Sequence, residues 1–219
     1  VRDGRPIKLE GNPDHPLSRG GLCARGQASV LDLYDARRFR APQKGGAPAA
    51  WAELDAAVTD ALRVAGRSGK KVRLLTGTPA GPAERAAIRE FTARHAAGHV
   101  VYDPVSRSAV LDAHQLTHGR RALPRYHFAQ AKVIVSFGAD FLGSWVSPVE
   151  FTKDWAANRR PADDWDLMSW HGQFEAMMTL AGANADLRVP LKPSAERAAV
   201  AELADLVARR VGWNGPRGP

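Results

Sequence analysis

The chain has 219 residues, 44% of them hydrophobic, with 31 Lys and Arg against 23 Asp and Glu, for a formal net charge of +8. That length suits one sizeable domain, or one with a small lobe, and is enough to bury a core. The basic groups sit in short pairs such as Lys70-Lys71, Arg120-Arg121 and Arg159-Arg160. They lack the long basic run with interleaved aromatics of a nucleic-acid surface, and no apolar run approaches the roughly 20 residues that span a bilayer.

In chain order, Asp3-Gly4 between short β-prone runs signals a hairpin. Asn12 to Gly21 reads as a Pro/Gly loop, and Gly26 to Tyr34 as a short helix contributing Val30, Leu31 and Leu33. A second loop, from Ala41 to Pro48, is the expected boundary between a small N-terminal lobe (residues 1–47) and an α/β domain (48–219). Trp51 to Val64 has apolar residues at helical spacing, and Val72 to Leu75 is a short strand ended by Thr76-Gly77. Ala83 to His95 predicts a helix, His99 to Tyr102 a strand and Ser106 to His118 a helix. Ala131 to Phe137 is the clearest buried strand, and its β-branched run Val133-Ile134-Val135 suits a central position covered on both faces. Val149 to Asn158 predicts a helix, Asp166 to Ser169 a strand, Leu187 to Leu191 a strand and Ala195 to Val211 an amphipathic helix. Strands alternating with helices of this length imply a mostly parallel sheet with helices on both faces, the α/β class.

Four groups of residues are candidates for chemistry. Cys23 is the single cysteine, so the chain has no internal disulfide, and one thiolate is three short of the usual iron–sulfur ligand set. It reads either as the last ligand of a cluster completed elsewhere or as a leftover thiol. The turn Gly138-Ala139-Asp140-Phe141-Leu142-Gly143-Ser144-Trp145 follows the best strand, at the end of the sheet where α/β folds bind ligands. Its bulky Phe141, Leu142 and Trp145 point to packing, and Asp140 to capping of the turn. Ser194 and Glu196 read as the N-cap and first-turn acid of a helix. Of the seven histidines, His114 and His118 fall on one helical face, but no third ligand is evident and exposed helix histidines are the simpler reading. No Walker loop, G-x-S-x-G elbow or CxxC is present.

The opening segment Asp3-Gly4-Arg5-Pro6, Lys8-Leu9-Glu10-Gly11-Asn12-Pro13 and Leu22-Cys23-Ala24-Arg25-Gly26-Gln27 resembles the N-terminal part of the molybdopterin oxidoreductase superfamily. There, such a hairpin leads to the last cysteine of a cluster. Further strings, Val100 to Ser106, Tyr126-His127-Phe128, Lys132 to Glu150 and Thr179 to Ser194, resemble the large iron–sulfur subunit of alternative complex III and its sibling in periplasmic quinone reductase complexes. The resemblance implies a two-part subunit. Its N-terminal half is molybdopterin-oxidoreductase-like, lacks a molybdenum cofactor and has no active site of its own. Its C-terminal half carries [4Fe–4S] and [3Fe–4S] clusters, so this chain is expected to be part of a longer subunit, with no cofactor within it.

The same resemblance implies, as partners, the cluster-bearing module, haem c subunits and a membrane quinol-binding subunit. Nucleic acid is not among them, and no transmembrane segment of the chain's own is expected. The implied place is peripheral, on the periplasmic side of the bacterial cytoplasmic membrane. Cofactor-loaded relatives carry an RPGTD-like string that contacts the cofactor's guanine, and here its last three positions are Ser194, Ala195 and Glu196. Losing Gly and Thr removes a close backbone approach and a hydroxyl. The alternative is a fragment of a genuine bis-MGD molybdopterin oxidoreductase with a [4Fe–4S] cluster. A third reading is a free-standing anion- or nucleotide-binding α/β domain.

Overall fold

A computed structural model describes residues 2–160 and 168–213. The chain forms two compact units, Val1–Tyr34 together with His114–Pro219, and Asp35–Ala113. Each is α/β in character.

The second unit opens on a two-residue hairpin, β1 (Gln43–Lys44) against β2 (Ala47–Pro48). Gly45 and Gly46 make its turn, both at positive φ, as a tight hairpin turn of this hand requires. The sequence reads as a plain loop here because each strand is only two residues long. Helix α2 (Trp51–Arg67) follows, then β3 (Arg73–Thr76), α3 (Pro82–Arg94) and β4 (Gly98–Val101). Pro82 occupies the first turn of α3, where its missing N–H costs nothing. Strands β3 and β4 pair in parallel, Leu74 opposite His99, with α3 as the crossover. The division between the two units falls within helix α4 (Ser108–His118).

The first unit begins with the expected hairpin turn. Arg2 and Arg5 exchange two backbone hydrogen bonds of 2.8 Å around Asp3 and Gly4, both at positive φ. The expected short helix is α1 (Ala24–Ala28) continued by a 3-10 turn over Ser29–Leu33. Val30 alone of its apolar trio is buried, and Leu31 and Leu33 are exposed. The N-terminal segment is fastened to helix α5 (Pro148–Ala157) by an Arg19–Asp154 ion pair and by Lys153 donating to the Arg19 carbonyl.

The sheet of this unit is parallel, in the order β5 (Val133–Phe137), β6 (Trp170–Glu175), β7 (Leu187–Pro190). Helix α5 links β5 to β6, and the one-turn α6 (Leu180–Ala183) links β6 to β7. This overturns two expectations. The AKVIVSF strand lies at the edge of the three-stranded sheet, and β6 is its centre. Ile134 and Ser136 are buried, but Val133 is 63% exposed and Val135 is exposed as well. The run is therefore covered on one face, not both. The strand expected over Asp166 to Ser169 falls partly outside the described residues, and the observed one starts at Trp170.

The core lies on the covered face, where Ile134, Phe141, Phe151 and Ala181 meet, flanked by Phe128, Trp145 and Trp155. On the other face, helix α7 (Pro193–Val211) runs past Phe137. Together with Val200, Leu203 and Val207, Phe137 lines an apolar groove of about 480 Å³. Helix α7 starts two residues earlier than expected. Lys192 is its N-cap without a side-chain bond, and Pro193 presets the first turn. Ser194, read as the cap, is already helical.

Candidate functional site

The carboxyl ends of β5, β6 and β7 open onto a small crevice of about 210 Å³, lined by Gly138, Phe174, Glu175, Met177, Thr179 and Glu196 among others. This is where a parallel α/β sheet presents loop backbone and helix ends to a ligand. Gly138 ends β5 at φ +59°, a conformation that only glycine adopts cheaply. Its N–H is held by the Phe174 carbonyl at 2.8 Å. The Glu196 carboxylate lies over it, with Oε1 2.9 Å from where a Cβ on Gly138 would stand.

The turn beyond Gly138 is a packing element. Phe141 is 1% exposed and stacks on Phe128 with ring centroids 4.5 Å apart. Trp145 meets Tyr126 at 5.2 Å and Phe151 at 6.3 Å. Asp140 ties the turn together. Its carbonyl accepts from the N–H groups of Gly143, Ser144 and Trp145, and its carboxylate accepts from the Ser144 hydroxyl and the Ala181 N–H. The expected capping role is therefore present, with an added link to α6.

A row of buried polar side chains along β6 is the feature that sequence reading missed. His171, Gln173 and Glu175 alternate along the strand and share the core-facing side, His171 and Gln173 at 0% exposure. Glu175 at the crevice end accepts from Arg188 Nε at 2.7 Å, and from the Thr179 hydroxyl at 2.7 Å and N–H at 3.1 Å. A Cβ at Gly182 would collide with this carboxylate. Burial alone pushes the Glu175 pKa up, but the bonds from Thr179 and Arg188 outweigh it and hold the group below the usual range. At the other end Asp186 accepts from the His171 N–H and from both terminal nitrogens of Arg159, and the Arg159 bond foremost keeps its pKa low. Burial lowers the pKa of His171 and keeps the ring neutral.

In the other unit, the loop after β3 is closed in a similar way. Asp103 accepts from the Thr78 N–H at 2.9 Å and from the Thr78 hydroxyl. These bonds lower the Asp103 pKa, and a carboxylate already fills the donors that an anion would take.

Cys23 is exposed and N-caps α1, its Sγ accepting from the Gly26 N–H at 3.5 Å. It lines a groove of about 530 Å³ with Arg19, Leu142, Val149 and Lys153. A [4Fe–4S] cluster needs four such ligands, and this chain supplies one. His114 and His118 stack ring on ring at 4.7 Å and 15°, and parallel faces do not aim two nitrogens at one ion. Among the described residues no group of three or more His, Cys, Asp or Glu is placed to hold a metal.

Residues 1–35 match the molybdopterin oxidoreductase Fe4S4 domain. Over 213 residues, 94% of this chain, the sequence is 24% identical to the menaquinone reductase molybdopterin-binding-like subunit of Nitratidesulfovibrio vulgaris. The chain is similar to the molybdopterin oxidoreductase superfamily. Within that superfamily it is similar to a quinone reductase subunit over nearly its whole length, but it spans 30% of the length of that relative. A sulfite dehydrogenase subunit from Allochromatium vinosum is 32% identical over 88 residues, 35% of this chain and 9% of that protein. The Fe4S4 match bears on the expectation that no cofactor resides in this chain. The cluster-type segment is present, with Cys23 as its one thiol.

The crevice chemistry tests the fit of a nucleotide-bearing molybdenum cofactor. Such a group brings pyrophosphate to a space of about 210 Å³, where Glu175 is buried and paired with Arg188 while the Glu196 carboxylate lies over the Gly138 backbone. Glu196 therefore sets a negative charge where a bound anion would approach the Gly138 backbone. The residues present do not fit that group.

Proposed function

We propose that this chain is a non-catalytic scaffold within an iron–sulfur electron-transfer subunit of a membrane-associated, quinol-oxidising respiratory complex. Its counterpart is the molybdopterin-oxidoreductase-like half of the large subunit of alternative complex III or of a periplasmic quinone reductase. The observation that carries the reading is the small crevice narrowed over Gly138 by Glu196, at the carboxyl ends of the strands where parallel α/β sheets bind ligands. The similarity to a molybdopterin-binding-like subunit over 94% of this chain supports it. In this reading the small lobe (1–47) is a remnant of the iron–sulfur-type domain, and the α/β part holds a cluster-bearing module, haem c subunits and a quinol-binding membrane subunit in register. The complex then stands on the periplasmic face of the membrane. No helix among the described residues is long and apolar enough to cross it.

The competing reading, a piece of a genuine molybdopterin oxidoreductase, is favoured by the Fe4S4-domain match over residues 1–35. Metal analysis and pterin fluorescence on the purified full-length protein separate the two. The scaffold reading expects iron without molybdenum, tungsten or pterin, and stoichiometric molybdenum or tungsten with pterin overturns it.

A further inference from the structure

From Ala36 to Ala52 the chain carries Arg37, Arg38, Arg40 and Lys44 and no acidic residue. Asp35, just before this segment, is engaged with the backbone. Its carboxylate accepts from the Arg37 N–H at 2.8 Å, and its carbonyl from the Arg38 N–H at 3.2 Å. Lys44 pairs with Glu53 at 2.9 Å, but among the described residues no carboxylate pairs with the side chains of Arg37, Arg38 or Arg40. All three arginines are exposed. Between them Phe39 is 82% exposed, and Trp51, at the start of α2, is 69% exposed.

The fold brings the two aromatic residues to one end of the β1–β2 hairpin. The Ala49 N–H donates to the Pro42 carbonyl at 3.0 Å, one step outside the paired strands. Phe39 and Trp51 stand only a few residues beyond that bond, one on each arm. Rings left in water forgo the gain of burial, and neighbouring guanidinium groups repel one another until an anion offsets them. The crevice, the α7 groove and the Cys23 groove are lined by other parts of the chain. This segment therefore offers outward side chains to a surface, not a hole to a partner's side chain.

We infer that this segment docks on the surface of an anionic lipid bilayer. Arg37, Arg38 and Arg40 engage headgroup phosphates, which guanidinium groups bind through paired hydrogen bonds. Phe39 and Trp51 settle at the headgroup level, where aromatic rings gather at membrane interfaces. A bilayer supplies phosphates at any spacing, which suits cations carried on a loop, whereas a protein partner would need acids placed to match each one. So shallow a contact is reversible, and it orients the chain on a membrane without anchoring it. The inference rests on the membrane-side placement proposed above and adds the residues that touch lipid.

The test is sedimentation of the purified full-length protein with lipid vesicles. Binding to vesicles of phosphatidylglycerol mixed about 1:2 with phosphatidylcholine should exceed binding to pure phosphatidylcholine by about tenfold or more. It should fall steeply as salt rises from about 0.1 M to about 0.5 M. One Lys or Arg near an anionic surface is worth about fivefold in partition, so the combined variant Arg37→Gln, Arg38→Gln and Arg40→Gln should bind about a hundredfold more weakly. Phe39→Ala should weaken binding severalfold at every salt concentration. Thermal unfolding shows whether each variant is folded. If the combined variant is not, the single reversal Arg38→Glu replaces it and should cost about tenfold or more. Equal binding to neutral and anionic vesicles, or full binding by the folded charge variant, overturns the proposal. Full vesicle binding together with failed assembly of the complex assigns the patch to a protein partner instead. Vesicle binding is read without activity, metal or pterin, so lipid docking and the scaffold reading can fail separately.

Discussion

His171 shows how one residue's surroundings set its response to pH. The ring is fully buried and its pKa is lowered from the ordinary 6.5, mainly by burial. The folded protein thus takes up a proton less readily than the unfolded chain. The stability from keeping this ring neutral is complete above about pH 6.5 and is lost as pH falls below it, by at most roughly 1.4 kcal/mol per pH unit for one proton. Glu175 and Asp186 have lowered pKa values, so their contribution persists through this window and fades only in the acid range below. Urea midpoints measured between pH 7.5 and 5.5 should therefore fall for the wild type. They should stay flat for His171→Gln, whose amide does not titrate. Equal slopes in both proteins would show that another group controls the transition.

At the scale of elements, the turn after β5 illustrates what pattern reading can and cannot reach. Its bulky residues announced packing, and Phe141 and Trp145 do lie in the aromatic core. Trp145 therefore packs, partly buried, against the core of its own domain. Trp145→Ala should destabilise the protein by about 3 kcal/mol through the cavity it leaves, read as a lower thermal midpoint. A variant with unchanged stability and failed complex assembly would instead make Trp145 a contact residue. Most helices and β3, β4 and β7 were legible because their apolar spacing is local. The place of β5 was not, since Val133-Ile134-Val135 reads as buried on both faces while hydrogen bonding puts it at an edge. Strand β6 was illegible for the opposite reason. His171, Gln173 and Glu175 give it a polar composition, and the partners that make them tolerable, Arg188 and Asp186, come from a segment more than ten residues away in sequence. Nor does any local signal link Arg125 to Glu150 or Arg19 to Asp154, contacts that only the folded chain creates.

For the molecule as a whole, the scaffold reading separates the crevice from the chemistry of the complex. Glu196 lines the crevice from the first turn of α7, where a negative charge suits the helix dipole, and it also covers Gly138. If nothing reactive binds there, its carboxylate matters only for local stability. Glu196→Ala, introduced into the intact complex, should lower the thermal midpoint slightly, since losing a first-turn acid costs up to about 1 kcal/mol. Quinol oxidation per assembled complex should stay within about twofold of wild type, because no transition-state contact has been removed. Assembly is measured separately, by the yield of complex and its cluster and haem content. A tenfold or greater loss of turnover in fully assembled, fully loaded complexes, on the order of 1.4 kcal/mol in barrier, would place the crevice on the reaction path. A substrate or cofactor would then have to bind against Glu175 with Glu196 as a working carboxylate, and the chain would be catalytic after all.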